Sequence, residues 1–185
     1  MRIGIPGGRL AKHLPRLSVI LGREVAEPPY ERSLYWRGPD EYFRLRAKAI
    51  PALVAQGLLD FGICGSDSIS EFLMPELLDV RDLGPQVGVR MVVAAADPAI
   101  LRMPLGRPLV VGTTYPLTAS TYLGTRHGKS HIVVEQPGCI EGLCPMLVDM
   151  VVDVSETGET LEANGLQEIE DLGQLRVVTV TRKGT

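Results

Sequence analysis

The sequence predicts an α/β protein of two lobes, built on mostly parallel sheets, with a ligand cleft between the lobes. Three observations predict it. Short runs rich in valine and isoleucine alternate along the chain with helix-compatible runs, the rhythm of parallel strands joined by crossover helices. The interval from Asp97 to Pro108 is turn-rich and carries Pro98, Pro104 and Pro108, the composition of a crossing between lobes. Glycine and hydroxyl residues follow several strand runs, and in such folds ligands lie at the carboxyl ends of strands.

Taken in order, Met1 to Pro6 reads as a first strand, closing at Gly7-Gly8, where backbone can approach a ligand. A helical pattern covers Arg9 to Leu21 and is made irregular by Pro15. Residues 23–39 are polar and proline-bearing, with Tyr35-Trp36 packing at a hairpin or loop edge. Tyr42 to Arg46 alternates as a strand does, and Ile50 to Gln56 is a helix with Pro51 in its first turn and Gly57 closing it. Asp60 to Cys64 is the next strand, and Ser66 or Asp67 caps a following helix. Further strands fall at Val87 to Ala96, Leu109 to Thr113, Ile132 to Glu135, Met150 to Val154 and Val177 to Thr181. Helices are expected over Pro116 to Leu123, Ile140 to Leu147 and Gly158 to Ala163. A return crossing near Gly173 assigns residues 1–96 with 174–185 to the first lobe and 97–173 to the second.

Composition narrows the function. At 185 residues, 45% hydrophobic and 22% charged, the chain holds one or two small domains with a true core. A net charge of −3 without a cluster of cations and aromatics speaks against nucleic acid as a partner. The N-terminus lacks the pattern of a signal peptide and no apolar run approaches a bilayer span, so a cytoplasmic protein with no membrane partner is expected. Cys64, Cys139 and Cys144 have no zinc spacing and read as reduced packing residues. His13, His127 and His131 form neither metal nor triad spacing, and no protein-built metal site is expected.

The most informative segment is Val148 to Leu166, where an apolar strand runs into Ser155-Glu156-Thr157-Gly158 and a short helix follows, stopped by Asn164-Gly165. Unpaired N–H groups at a helix start hold a phosphate, and Thr157 and Thr160 add hydroxyl donors. Asp153 and Glu156 at the mouth suit acceptance of hydrogen bonds from sugar hydroxyls. Phosphate donors beside hydroxyl acceptors point to a ribose 5-phosphate. The plainer alternative is a strand, a threonine cap and a helix whose acids, Glu159 and Glu162, favour the dipole with or without a ligand.

The pattern Asp153, Thr157-Gly158-Glu159-Thr160-Leu161, Ala163-Asn164-Gly165-Leu166 resembles the phosphoribosyl-pyrophosphate (PRPP) loop of ATP phosphoribosyltransferases, the first enzymes of histidine biosynthesis. The resemblance runs nearly end to end. It includes Ile5-Pro6-Gly7-Gly8-Arg9-Leu10, Arg46 with Ile50-Pro51, Asp60-Phe61-Gly62-Ile63-Cys64-Gly65 with Asp67, Arg90, Thr113-Thr114-Tyr115-Pro116 and Gly138-Cys139-Ile140-Glu141. It implies two lobes like those of type II periplasmic binding proteins, magnesium, and the short form that acts with a regulatory subunit resembling histidyl-tRNA synthetase, as a homodimer or hetero-oligomer. The implied reaction is displacement of pyrophosphate from PRPP by N1 of ATP. Arg9, Arg46 and Glu141 carry over as catalytic residues. Asp153, Glu156, Thr157, Gly158, Glu159 and Thr160 carry over as PRPP-binding, and Gly8, Asp67, Arg90, Thr114 and Tyr115 as nucleotide or pyrophosphate contacts.

Three positions depart from the family pattern. Gly7 stands where the family has lysine, Ala49 where it has aspartate, and Ala119, Ser120 and Thr121 where its helix carries an arginine pair. The chain also ends directly after its last strand, which implies a trimmed or compact form. The losses leave two other readings open: a paralogue that transfers phosphoribose to another acceptor, and a non-catalytic binding subunit of the same fold.

Overall fold

The computed structural model describes residues 1–8, 10, 19, 22 and 27–184. The chain divides into two compact units, residues 1–85 with 176–185, and residues 86–175. The helical pattern over residues 9–21, with Arg9 and His13, lies outside the described residues apart from Leu10 and Val19.

In the first unit, β1 (Arg2–Pro6) lies between β3 (Glu41–Leu45) and β4 (Phe61–Gly65), parallel to both. A short antiparallel strand β2 (Tyr35–Arg37) pairs with β3, and the carboxyl half of β9 (Gln167–Arg182) pairs antiparallel with β4. The aromatic pair reads as expected at a hairpin edge: Trp36 is buried and stacks on Tyr42, with ring centroids 5.4 Å apart. Helix α1 (Ile50–Ala55) starts with Pro51 in its first turn and buries Ile50 and Val54. It crosses the sheet at Gly62, where a Cβ would meet Ile50 Cγ2 at 2.3 Å, so the helix seats on the strand because the side chain is missing. Helix α2 (Ser66–Ser70) follows β4 directly.

In the second unit the strand order is β5-β8-β6-β7, from β5 (Leu78–Ala95), β6 (Leu109–Thr113), β7 (His131–Glu135) and β8 (Met150–Ser155). β6 is parallel to β7 and β8, whereas β5 is antiparallel to β8. Alternation along β8 sends Met150 and Val152 into one core with Val89, Met91, Leu109, Tyr115 and Leu123. Val151 enters a second core with Val92, Ile140, Val148, Leu161 and Leu166. Helix α3 (Pro116–Thr121) continues into a π-helical turn over Tyr122–His127, and helix α4 (Glu159–Ala163) follows β8.

Four of the strand pairings above are parallel and three antiparallel, so the strands are of mixed direction. Three expectations need correction. The interval 97–108 is not the first crossing between units, because Ile100 and Leu101 are buried in the core of the second unit; the chain passes at 85/86 inside β5 and returns at 175/176 inside β9. The helix expected over Ile140–Leu147 is only a 3-10 turn at Ile140–Leu143, since Pro145 forces Cys144 into extended backbone at φ −94°, ψ 135°. Cys139 is exposed rather than packed, while Cys64 and Cys144 are buried free thiols.

Candidate functional site

Three turns reach one edge of the second unit because β6, β7 and β8 run parallel and each is followed by a turn at its carboxyl end. They are 113–116 after β6, 136–140 after β7 and 156–158 after β8. The first is braced by Thr113, whose buried Oγ1 donates to the Val152 carbonyl at 2.6 Å and accepts the Tyr115 N–H at 2.7 Å. Thr114 then donates from Oγ1 to Asp153 Oδ1 at 3.1 Å. Two motifs far apart in sequence, Thr113-Thr114-Tyr115-Pro116 and the 153–160 loop, are thus joined by side chains.

Asp153 is half-buried, and its register partner on β5 is Val92, so its carboxylate stands on the α4 face of the sheet. The loop leaves the strand at Ser155, which is buried, and turns through Gly158 at φ +85°, a left-handed conformation that a side chain resists. Thr157 Oγ1 accepts the Glu159 N–H at 3.4 Å, but the N-cap position is Gly158 and no side chain caps the helix, so the threonine cap of the plainer reading is not formed. The helix stops as the sequence expects: Gly165 sits at φ +68°, and Asn164 Nδ2 donates to the Thr160 carbonyl at 2.8 Å. Glu156, Glu159 and Thr160 are exposed on the loop and first turn.

The turn after β7 passes through Gly138 at φ +77° and Cys139 at φ +55° and enters the 3-10 turn bearing Glu141. Ile140 shares a core with Leu161, and a Cβ on Gly142 would lie 4.0 Å from Asn164 Oδ1, so the Glu141 turn rests beside α4. Arg90 is the register partner of Ser155. Its guanidinium is held by Glu168 at 2.6 and 3.0 Å and by Asp171 at 2.9 Å, and the hydrogen bond from Arg90 holds the Asp171 carboxyl below its usual range. Arg90 is therefore already neutralised by two carboxylates, where the family resemblance implies an anion contact. Tyr115 also differs from that expectation, because its ring is buried in the core and its N–H is spent on Thr113.

The remaining expected residues belong to the first unit. Gly8, at φ +67°, is exposed at the end of β1. The Gly7 N–H donates to the Leu45 carbonyl at 2.9 Å, and a Cβ on Gly7 would stand 3.7 Å from that oxygen, an ordinary contact that leaves room for a side chain. Arg46 is exposed, and its carbonyl accepts the Ala49 N–H at 2.9 Å. Asp67 lies in the first turn of α2 and folds back so that its Oδ1 is 2.0 Å from where a Cβ on Gly65 would be; a side chain at 65 would turn the Asp67 carboxylate away. Burial first, and the Asp67 charge second, push the Cys64 thiol well up, so it is an inert packing thiol. Sequence reasoning missed Thr113 as a brace of the site; a hydroxyl at a strand's carboxyl end before a turn is the signal it offered.

Residues 46–185 match the family model described as ATP phosphoribosyltransferase. An ATP phosphoribosyltransferase of Oceanobacillus iheyensis is 31% identical over 189 residues, covering 99% of this chain and 88% of that protein. Among solved structures, the ATP phosphoribosyl transferase (HisG:HisZ) complex of Thermotoga maritima superposes with a TM-score of 0.75 at 24% identity, over 98% of this chain and 87% of that one. The periplasmic VFT2 domain of Bordetella pertussis BvgS gives 0.61 at 15% identity, over 100% of this chain and 81% of that one, a likeness of fold alone. The architecture is that of type II periplasmic-binding-like α/β proteins. On the match of its motifs, its fold and its sequence, the chain belongs to the ATP phosphoribosyltransferase family.

Proposed function

We propose that this chain transfers phosphoribose from PRPP to N1 of the ATP adenine, releasing pyrophosphate, as the cytoplasmic first step of histidine biosynthesis. The observation that carries the reading is the Thr114–Asp153 hydrogen bond, which sets an acceptor carboxylate between a threonine-bearing turn and the 155–160 loop at one strand edge. In the reaction the bond from the anomeric carbon to the pyrophosphate oxygen breaks and the bond to N1 forms. The departing electron pair stays on pyrophosphate. No covalent bond to the protein is needed, so the protein works by positioning and by neutralising charge.

Asp153 and Glu156 accept the ribose hydroxyls, and the segment Thr157-Gly158-Glu159-Thr160 supplies N–H and hydroxyl donors to the 5-phosphate. Arg46, together with Arg9, offers forked contacts to phosphate oxygens, with Gly8 and Asp67 beside the same chain segments in the first unit. Glu141 orders a ribose hydroxyl or the adenine amine. The divalent metal, magnesium, enters on the diphosphate as part of the substrate, since that ion is held through one or two carboxylates and substrate phosphates rather than by an all-protein cage. The Thermotoga neighbour is a complex with a second subunit, HisZ, and a regulatory subunit of that kind, resembling histidyl-tRNA synthetase, is the partner we assign.

Calorimetric titration with PRPP and magnesium tests the site. Binding by the intact chain, abolished by Thr157→Ala with Thr160→Ala, is expected, and addition of ATP with the regulatory subunit yields phosphoribosyl-ATP and pyrophosphate. Failure to bind PRPP ends the reading. The space left at Gly7, with no lysine in it, favours one second reading, a different acceptor; PRPP binding without any product from ATP, but with product from another nucleobase, selects it.

A further inference from the structure

Among the described residues three arginines are half-buried, and two of them are neutralised: Arg2 pairs with Asp60 at 2.8 Å, and Arg90 with Glu168 and Asp171. Arg44 is the third, and among the described residues no carboxylate pairs with it. One guanidinium nitrogen donates to the Glu31 carbonyl, a neutral acceptor, and the Nε–H is buried with no acceptor. The guanidinium lies over the Trp36 ring, 5.6 Å from its centroid, which holds the group without cancelling its charge. A half-buried cation with a spare buried donor calls for an anion.

The place of Arg44 in the sheet says where that anion lies. β1 and β3 are parallel, with Ile5 opposite Arg44 and Pro6 opposite Leu45, so Gly7 and Gly8 leave β1 at the edge where Arg46 leaves β3. That edge gathers strand carboxyl ends, where ligands lie in folds of this class. Alternation puts Arg44 on the face that carries Tyr42, Ile3 and Ile5. Its stem passes Gly7, since a Cβ on Gly7 would stand 3.8 Å from Arg44 Cγ. Glycine therefore leaves open the space beside this stem, at the position where the family pattern carries a lysine.

We propose that Arg44 binds a diphosphate, its guanidinium exchanging the Glu31 carbonyl for two phosphate oxygens beside Gly7. This assignment rests on the phosphoribosyl transfer proposed above, in which the 5-phosphate belongs to the 155–160 loop and the diphosphate of PRPP, or the polyphosphate of ATP, needs cations of its own. The exchange replaces one neutral hydrogen bond with a charge-assisted fork, and the planar guanidinium matches a pair of phosphate oxygens. Arg44 thus supplies from β3 the charge that Gly7 does not carry on β1.

Calorimetric titration of the full chain with pyrophosphate, PRPP and ATP, each with magnesium, and with ribose 5-phosphate tests this. Arg44→Met keeps most of the stem and removes the charge. Its affinity for pyrophosphate is expected to fall about tenfold, with ribose 5-phosphate affinity and circular dichroism unchanged. A matching loss with PRPP makes its diphosphate the ligand; a matching loss with ATP instead makes it the ATP polyphosphate. Gly7→Lys added to Arg44→Met restores pyrophosphate binding, by more than it adds to the parent, because both cations reach one anion. Arg44→Lys keeps the charge without the fork and costs about threefold; this variant decides the matter if Arg44→Met does not fold. A parent that does not bind pyrophosphate, or variants that bind it as the parent does, overturn the proposal. So does an equal loss of ribose 5-phosphate affinity, the sign of a merely structural role. PRPP binding that Thr157→Ala with Thr160→Ala abolishes and Arg44→Met leaves untouched ends the role of Arg44 and keeps the transfer reading.

Discussion

Single side chains decide the chemistry at three positions. Thr114→Val removes the donor to Asp153 and leaves the packing volume, so PRPP affinity should fall about fivefold, equivalent to about 1 kcal/mol, with little change in melting temperature. Isothermal calorimetry beside a thermal melt separates the two effects. Gly158→Ala puts a Cβ at φ +85°, costing about 1 kcal/mol of stability, and it moves the 155–160 loop to which we assign the 5-phosphate; both the urea midpoint and PRPP affinity should drop. Gly7→Lys tests the missing cation. Because a Cβ there makes only an ordinary contact, the variant should fold as the parent does and bind PRPP about fivefold more tightly, through one charge-assisted contact. Unchanged affinity would show that pyrophosphate does not pass Gly7. At this scale the strand, the turn at Gly158 and the short helix after it were legible between residues 153 and 163, because turn and helix signals are local. The burial of Tyr115 and the pairing of Arg90 with Glu168 and Asp171 were not, since each depends on elements distant in sequence.

Elements are held in register by contacts of the same long range. Asp149 accepts both guanidinium arms of Arg107 at 2.7 Å and the Val110 N–H at 2.8 Å, fastening the start of β8 to the start of β6. The Arg107 hydrogen bonds, chiefly, hold its carboxyl below the usual range. A carboxyl lowered in the folded state adds stability that is fully present above its unfolded value, about 3.9, and is lost as pH falls through the lower folded value. Asp149→Asn should therefore cost about 1–2 kcal/mol at pH 7, a deficit that shrinks as the parent is acidified into that window. Urea melts at neutral and acid pH read both halves of this expectation. Strand identity was largely legible from period and β-branching, but strand length was not. β5 begins at Leu78 and β9 at Gln167, well before their apolar cores, because polar residues such as Asp82 and Asp171 are as acceptable in a solvent-facing strand as in a loop.

For the whole molecule, ligand binding should appear as stability. PRPP with magnesium at a hundredfold excess over its dissociation constant adds about 2.7 kcal/mol, which for a chain of this length raises the melting temperature by about 5–10 °C. Differential scanning calorimetry should show that rise in the parent and none after Thr157→Ala with Thr160→Ala, whose melts without ligand should coincide with the parent's. A parent that fails to shift would leave the loop as a strand, a cap and a helix. The sequence by itself determined the α/β class, the order of most elements and the loop whose residue types suit a ribose phosphate, because hydropathy period, turn chemistry and hydroxyl–carboxylate composition are local properties. Only the tertiary structure decided that Thr114 meets Asp153, that Arg90 is spent on two carboxylates, that the chain passes between units inside β5 and β9, and that β7 is left as an open edge. Each of these is a pairing across tens of residues, fixed by which strands lie side by side, and no local pattern carries that information.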